Sequence, residues 1–142
     1  MTQNRTLYNG SNPTYGYIEH NFNDNIFASV GENVFETYSV KDEQVFVPGH
    51  VLALDTNYEL VIWDEALPAN NGGTPFAVTL EPLDTRAATG RTGSSIAVIT
   101  RSMGAFNFNA ISYKGFAGQD DKVRVMMSNA GLPVQGSIYS AI

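Results

Sequence analysis

The residues that could do chemistry in this chain are few. His20 and His50 are the only side chains whose ordinary titration falls near neutrality. Asp55 follows His50 by five residues, a pairing that suggests a metal ligand set or a base with its orienting carboxylate. Metal sites need three or four ligands, and the sequence contains no HxH or HExxH spacing. His50 therefore reads as a turn or interface residue, and His20 has no identifiable partner. Asp64-Glu65 and Asp120-Asp121 are adjacent carboxylates. Neighbours in sequence point different ways, so neither pair forms an acid and base acting on one substrate. The first pair is expected to end a strand and the second to open a helix. Gly90-Arg91-Thr92-Gly93-Ser94 resembles a phosphate cradle only in composition. It lacks the GxxxxGK[ST] spacing, and no helix follows to aim backbone donors, so a flexible loop is expected. Trp63, at a strand end, reads either as an exposed indole that stacks a sugar or as a partly buried residue beside a turn. A serine nucleophile would need a GxSxG elbow, which is absent. The chain thus reads as a non-enzyme that needs no cofactor and no metal.

Composition narrows the classes further. The chain has 142 residues and no cysteine, which excludes thiolate metal sites, iron–sulfur clusters, thiol nucleophiles and disulfides. That length suits one domain with a modest extra segment and gives a core large enough to fold without staples. Eight basic residues against 14 acidic ones give a net charge of −6. The basic residues are scattered, so the stripe that neutralises phosphates is missing and nucleic acid is not an expected partner. No apolar run approaches the ~18 residues of a membrane span, and Met1–Arg5 leads into polar residues, not an apolar leader. A soluble product made in the cytosol is expected.

The elements that would position such residues divide near Gln44–Pro48. Residues 1–44 carry a net charge of −4, are rich in Asn and turn formers, and hold seven of the 16 aromatic residues. Neither period 2 nor period 3.6 is sustained over them. Solvated tails are usually poor in aromatics. Two readings stay open: an arm that orders on a partner, or a strand-and-loop extension packed on its own domain. Tyr8, Tyr15, Tyr17, Phe22, Phe27 and Phe35 are the candidate partner-binding residues of the arm.

From Val45 the signals are those of β-structure, and deletion of residues 1–44 is expected to leave a folded domain. Val45–Val47 leads to the turn pair Pro48-Gly49 and the apolar run Val51–Leu54. Asp55–Asn57 is a turn whose side chains bond their own backbone, joining that run to a strand over Tyr58–Trp63 as a hairpin. Pro68–Thr74 is a loop. Phe76–Leu80 and Ser95–Arg101 are strands, Asp84–Gly93 is polar, and Ala105–Asn109 alternates. One helix is predicted over Asp120–Ala130. Val123, Met126, Met127 and Ala130 form its apolar stripe, Asp120 or Asp121 its N-cap, and Gly131 and Pro133 its stop. Leu132–Val134 should return to a sheet. The fold class is mainly β (α+β), with one short helix.

Pro48–Thr56, then Leu60–Asp64, resembles the head decoration proteins of lambda-like tailed phages. The likeness continues in order through the loop Asn70–Thr74 with Pro75–Val78, through Ile96–Thr100 with Gly104–Asn107, and to Ala130–Val134. It covers about Val47–Val134. The segment before Gln44 is longer than the family pattern, Gln135–Ile142 extends past it, and Phe76-Ala77-Val78 lacks a glycine common there. The resemblance implies a compact β-clip or β-tulip domain over residues 45–134, an extended capsid-binding arm over 1–44 and a tail over 135–142. It further implies homotrimers on the three-fold positions of the expanded icosahedral shell, on the outer surface of the virion, with the major capsid protein as partner. A tail- or fibre-associated structural module is the alternative. A small β-fold enzyme would have Asp84–Gly93 as its site.

Overall fold

A computed structural model of the chain describes residues 2–4, 6–8 and 26–136. The fold is mainly β with one α-helix among the described residues, as the sequence predicts. Strands β1 (Thr2–Asn4) and β2 (Thr6–Tyr8) pair as an antiparallel ladder. The next strands are β3 (Phe27–Ser29), β4 (Asn33–Ser39), β5 (Val45–Phe46), β6 (Val51–Leu54), β7 (Leu60–Ile62), β8 (Ala77–Val78) and β9 (Leu83–Asp84). The chain ends its regular structure with β10 (Ser95–Ser102), β11 (Ala105–Asn107), helix α1 (Asp120–Asn129) and β12 (Val134–Gln135).

The central sheet has the order β4-β10-β8-β6-β7 and is antiparallel throughout. Both of its faces are buried along β6 and β8, which explains why Val51–Leu54 reads as a continuous apolar run instead of alternating. Val51, Ala53, Val61, Val78 and Ile99 point into one core, which α1 covers with Val123 and Met127, and β11 with Phe106. Leu52, Leu60, Ala77, Ile96 and Val98 point into a second core with Val40 and Phe46. Each of the Val, Leu, Ile, Phe and Met side chains among these contributes about 1.5–3 kcal/mol by leaving water. A single parallel bridge between Val40 and Leu60 joins the chain just past β4 to β7, the opposite edge, so the sheet curls around the second core. The second core is closed by the short β5–β9 pair. Beside the first core, β11 sits between β12, parallel to it, and β3, antiparallel.

The turns follow from their residues. Pro48 and Gly49 occupy the centre of a turn closed by the His50 amide donating to the Val47 carbonyl at 3.1 Å, with Gly49 at φ +93°. That is the geometry of a type II turn, which wants Pro then Gly. Asp55 accepts from the amides of Asn57 and Glu59 on one oxygen, both at 2.9 Å, as the sequence predicts. Tyr58 sits in this turn at φ +61°, so β7 starts later than expected. Helix α1 stops as predicted. Gly131, at φ +82°, donates to Ser128, and Leu132 donates to Met127, against which it also packs in the first core.

Two expectations are corrected. The boundary at Gln44 does not divide arm from domain, because the chain is built into the body from Ile26 onward. Ile26 and Val40 are core residues, β3 and β4 pair with β11 and β10, and Thr85 bonds Lys41 and Gln44. β4 lacks visible periodicity because Val34–Thr37 are exposed on both faces at the sheet edge, so no alternation of polarity is required there. The helix N-cap is Gln119, and neither Asp120 nor Asp121 caps with its side chain. Both carboxylates lie in the first turn, where they favour the helix through its dipole.

Candidate functional site

The groups that suggested chemistry are engaged in holding backbone. His50 is half-buried, and its Nδ1 accepts from the Val47 amide at 3.0 Å, so the imidazole locks the Pro48-Gly49 turn it follows. Burial pushes its pKa below the ordinary value, and the nearby Lys114 charge adds to that. Asp55 is buried and stands 3.9 Å from Lys41 Nζ across the closing edges of the central sheet. Asp64 accepts from the Ala66 amide at 2.9 Å, and Glu65 from the Phe116 amide at 2.7 Å. Glu65 thereby holds Phe116 at φ +63° while its ring enters the first core. No group of three His, Asp or Glu side chains among the described residues is placed to hold a metal ion.

Trp63 is fully buried, which removes the sugar-stacking reading. Its indole donates to the Gly73 carbonyl at 3.1 Å, and its ring lies 4.6 Å from Phe116 and 5.3 Å from Tyr113 between centroids.

The Asp84–Gly93 segment is tied down as well. Asp84 receives the Arg86 guanidinium at 2.6 Å, which holds its carboxyl below the usual carboxylate range. Ala87–Thr89 forms a 3-10 turn ended by Gly90, and Glu43 and Asp42 accept from the amides of Ala87 and Gly93. Gly93 of the expected flexible loop is thus held by Asp42, from the segment before β5, and Gly90 donates to the Ala87 carbonyl.

The six candidate arm residues separate. Tyr15, Tyr17 and Phe22 lie outside the described residues, as does His20, and Tyr8 ends β2. Phe27 is partly buried and stacks on Phe106 at 5.2 Å, against the first core. Phe35 stands on edge strand β4 with 54 % of its surface exposed.

Val30 and Met103 stand exposed for a reason that sequence reasoning missed. The backbone of Val30-Gly31 lies against that of Met103-Gly104 so closely that a Cβ on either glycine would strike the other turn. Met103 donates to the Glu32 carbonyl at 2.7 Å, and Ser102 Oγ bridges Asn33 Oδ1 and the Gly104 amide. Val30 and Met103 are thereby held outward, 91 % and 79 % exposed. Beside them Val34 and Met103 line a shallow hollow of about 370 Å³ with Glu32, Asn33 and Arg101. Two glycines that each follow an apolar residue are the only sequence signal for this surface.

No helix among the described residues is long and apolar enough to cross a membrane. His50, Asp55, Glu65 and Asp84 all accept hydrogen bonds from backbone amides. Compared with known proteins, the chain matches no protein-family model and no curated protein.

Proposed function

We propose that this chain is a phage head decoration protein, a cement protein that binds the expanded icosahedral capsid from outside as trimers at its three-fold positions and stabilises it against internal pressure. The observation that carries the reading is the ordered resemblance over Val47–Val134, whose segments all fall within one β-rich body. The employment of His50, Asp55, Glu65 and Asp84 in backbone hydrogen bonds agrees with a protein that works by contact.

In this reading the arm is residues 1–25, shorter than composition suggests, and Tyr8, Tyr15, Tyr17 and Phe22 supply its apolar area against the major capsid protein. An extended arm costs about 1–2 kcal/mol of backbone entropy per ordered residue, so one arm alone binds weakly. Three arms on one trimer make the second and third contacts intramolecular, which raises avidity by roughly 10²–10⁴. Each bound trimer then favours the closed lattice by mass action.

The test is to mix the protein with expanded empty heads, count copies bound at saturation, locate the added density and compare rupture temperatures. A fixed number per shell, density on the three-folds and greater heat resistance are expected. Density elsewhere, or heads no more heat-resistant when saturated, would refute the clamp. Binding to tails or fibres instead of heads would favour a tail-associated module.

A further inference from the structure

We infer that the surface formed by Val30, Glu32, Val34, Arg101 and Met103 is where a second copy of this chain docks. The inference deepens the reading above by naming the self-association face, and rests on that reading only for the number of copies.

Two observations carry it. The first is that the surface is built for display. Val30 and Met103 are the two most exposed large apolar side chains of the described residues, and both sit on turns fixed by the Gly31–Gly104 approach and the Ser102–Asn33 hydrogen bond. The backbone that presents them is already fixed by these contacts, so a partner need not order it on binding. Exposed apolar residues grouped on one surface mark interaction sites in soluble proteins.

The second observation is charge, and it selects the occupant. A chain with a net charge of −6 repels its own copies over most of its surface. The hollow beside Met103 instead carries one acidic and one basic residue, Glu32 and Arg101, with no ion pair between them. Arg101 is exposed, with its stem beside Gly131. Glu36 lines the adjoining hollow with the same Val34 and Arg101, so the surface carries acidic groups about a single basic one. Charges of opposite sign can therefore meet between copies: Glu32 of one copy faces Arg101 of the next beside exposed apolar side chains. Complementary rim charges of this kind set register and partner choice.

The experiment is sedimentation velocity on the full chain from micromolar to millimolar concentration. Wild-type protein is expected to self-associate. Glu32→Arg or Arg101→Glu alone should weaken association by roughly tenfold or more, because each places like charges opposite one another. The double exchange in one chain should restore it. Val30→Asp should also abolish association while leaving the circular dichroism spectrum unchanged, since Val30 lies outside both cores. A protein that stays monomeric throughout, or one whose association ignores both reversals, overturns the inference. Decoration of heads separates the two proposals. Heads that saturate while association ignores Glu32 and Arg101 remove this face alone, whereas association through this face without head binding removes only the shell reading.

Discussion

Replacing Trp63 by alanine is expected to cost about 4 kcal/mol, roughly a quarter or more of the ~5–15 kcal/mol stability of an ordinary domain. The side chain is fully buried. A buried tryptophan removes roughly 150–250 Å² from water, which at about 25 cal/mol per Å² amounts to ~4–6 kcal/mol. Part of this is recovered if Tyr113 and Phe116 collapse into the space. The Gly73 carbonyl, however, loses the indole donor that it now holds at 3.1 Å. With a urea dependence of about 2 kcal/mol per molar, the unfolding midpoint should fall by about 2 M. Far-UV circular dichroism is the suitable probe, because Trp63 is the only tryptophan and the variant loses its fluorescence. A midpoint shift below about 0.5 M would mean that the ring does not organise the first core, and the reasoning would be wrong.

Deleting residues 1–25 should leave a cooperative, folded body, whereas deleting residues 1–44 should abolish folding because Ile26, Val40, β3 and β4 are lost; a folded protein after the longer deletion, judged by amide NMR dispersion, would contradict this. Stability should be full above pH 6.5 and fall as the pH drops below it. The unfolded chain takes up a proton at His50 before the folded one does, and protonation removes the acceptor for the Val47 amide. The corresponding part of the pH slope should vanish in His50→Gln, and an identical slope in both proteins would exclude His50 as its source. Gly131→Ala should cost about 1–2 kcal/mol, since alanine at φ +82° is strained and its Cβ presses on Arg101. Thermal unfolding with no measurable loss would show that the helix ends some other way.

How much of this architecture is legible in the sequence depends on where local signals and burial agree. Pro48-Gly49, Asp55 and Gly131 each solve a backbone problem that only a few residue types solve, so the turns and the helix stop are readable. The α1 stripe is readable because one face of a helix is buried and the other wet. β4 is not, because a largely exposed edge strand places no demand on polarity, and its pairing with β10 is set by distant residues. Trp63 illustrates the same limit. Its burial depends on Tyr113 and Phe116, some fifty residues away, and nothing local distinguishes it from a displayed indole. The Val30–Met103 surface arises from two glycine turns far apart in the chain, so its rigidity has no local signature.

The pairing of β4 with β10 also governs how the chain must fold. Asn33 meets Ser102 across a separation of 69 residues, and the Val40–Leu60 bridge depends on the same placement of β4. At ~5–20 residues per second, a ribosome needs roughly 3–14 s to supply β10 after β4 has been made. Over that interval β4 has no neighbour, while the β6–β7 hairpin can already form. Contacts of such long range also slow the closing step itself, because the loop entropy is lost before the pairing is gained. The body therefore completes late and from the inside outward, with its N-terminal edge strand among the last to dock.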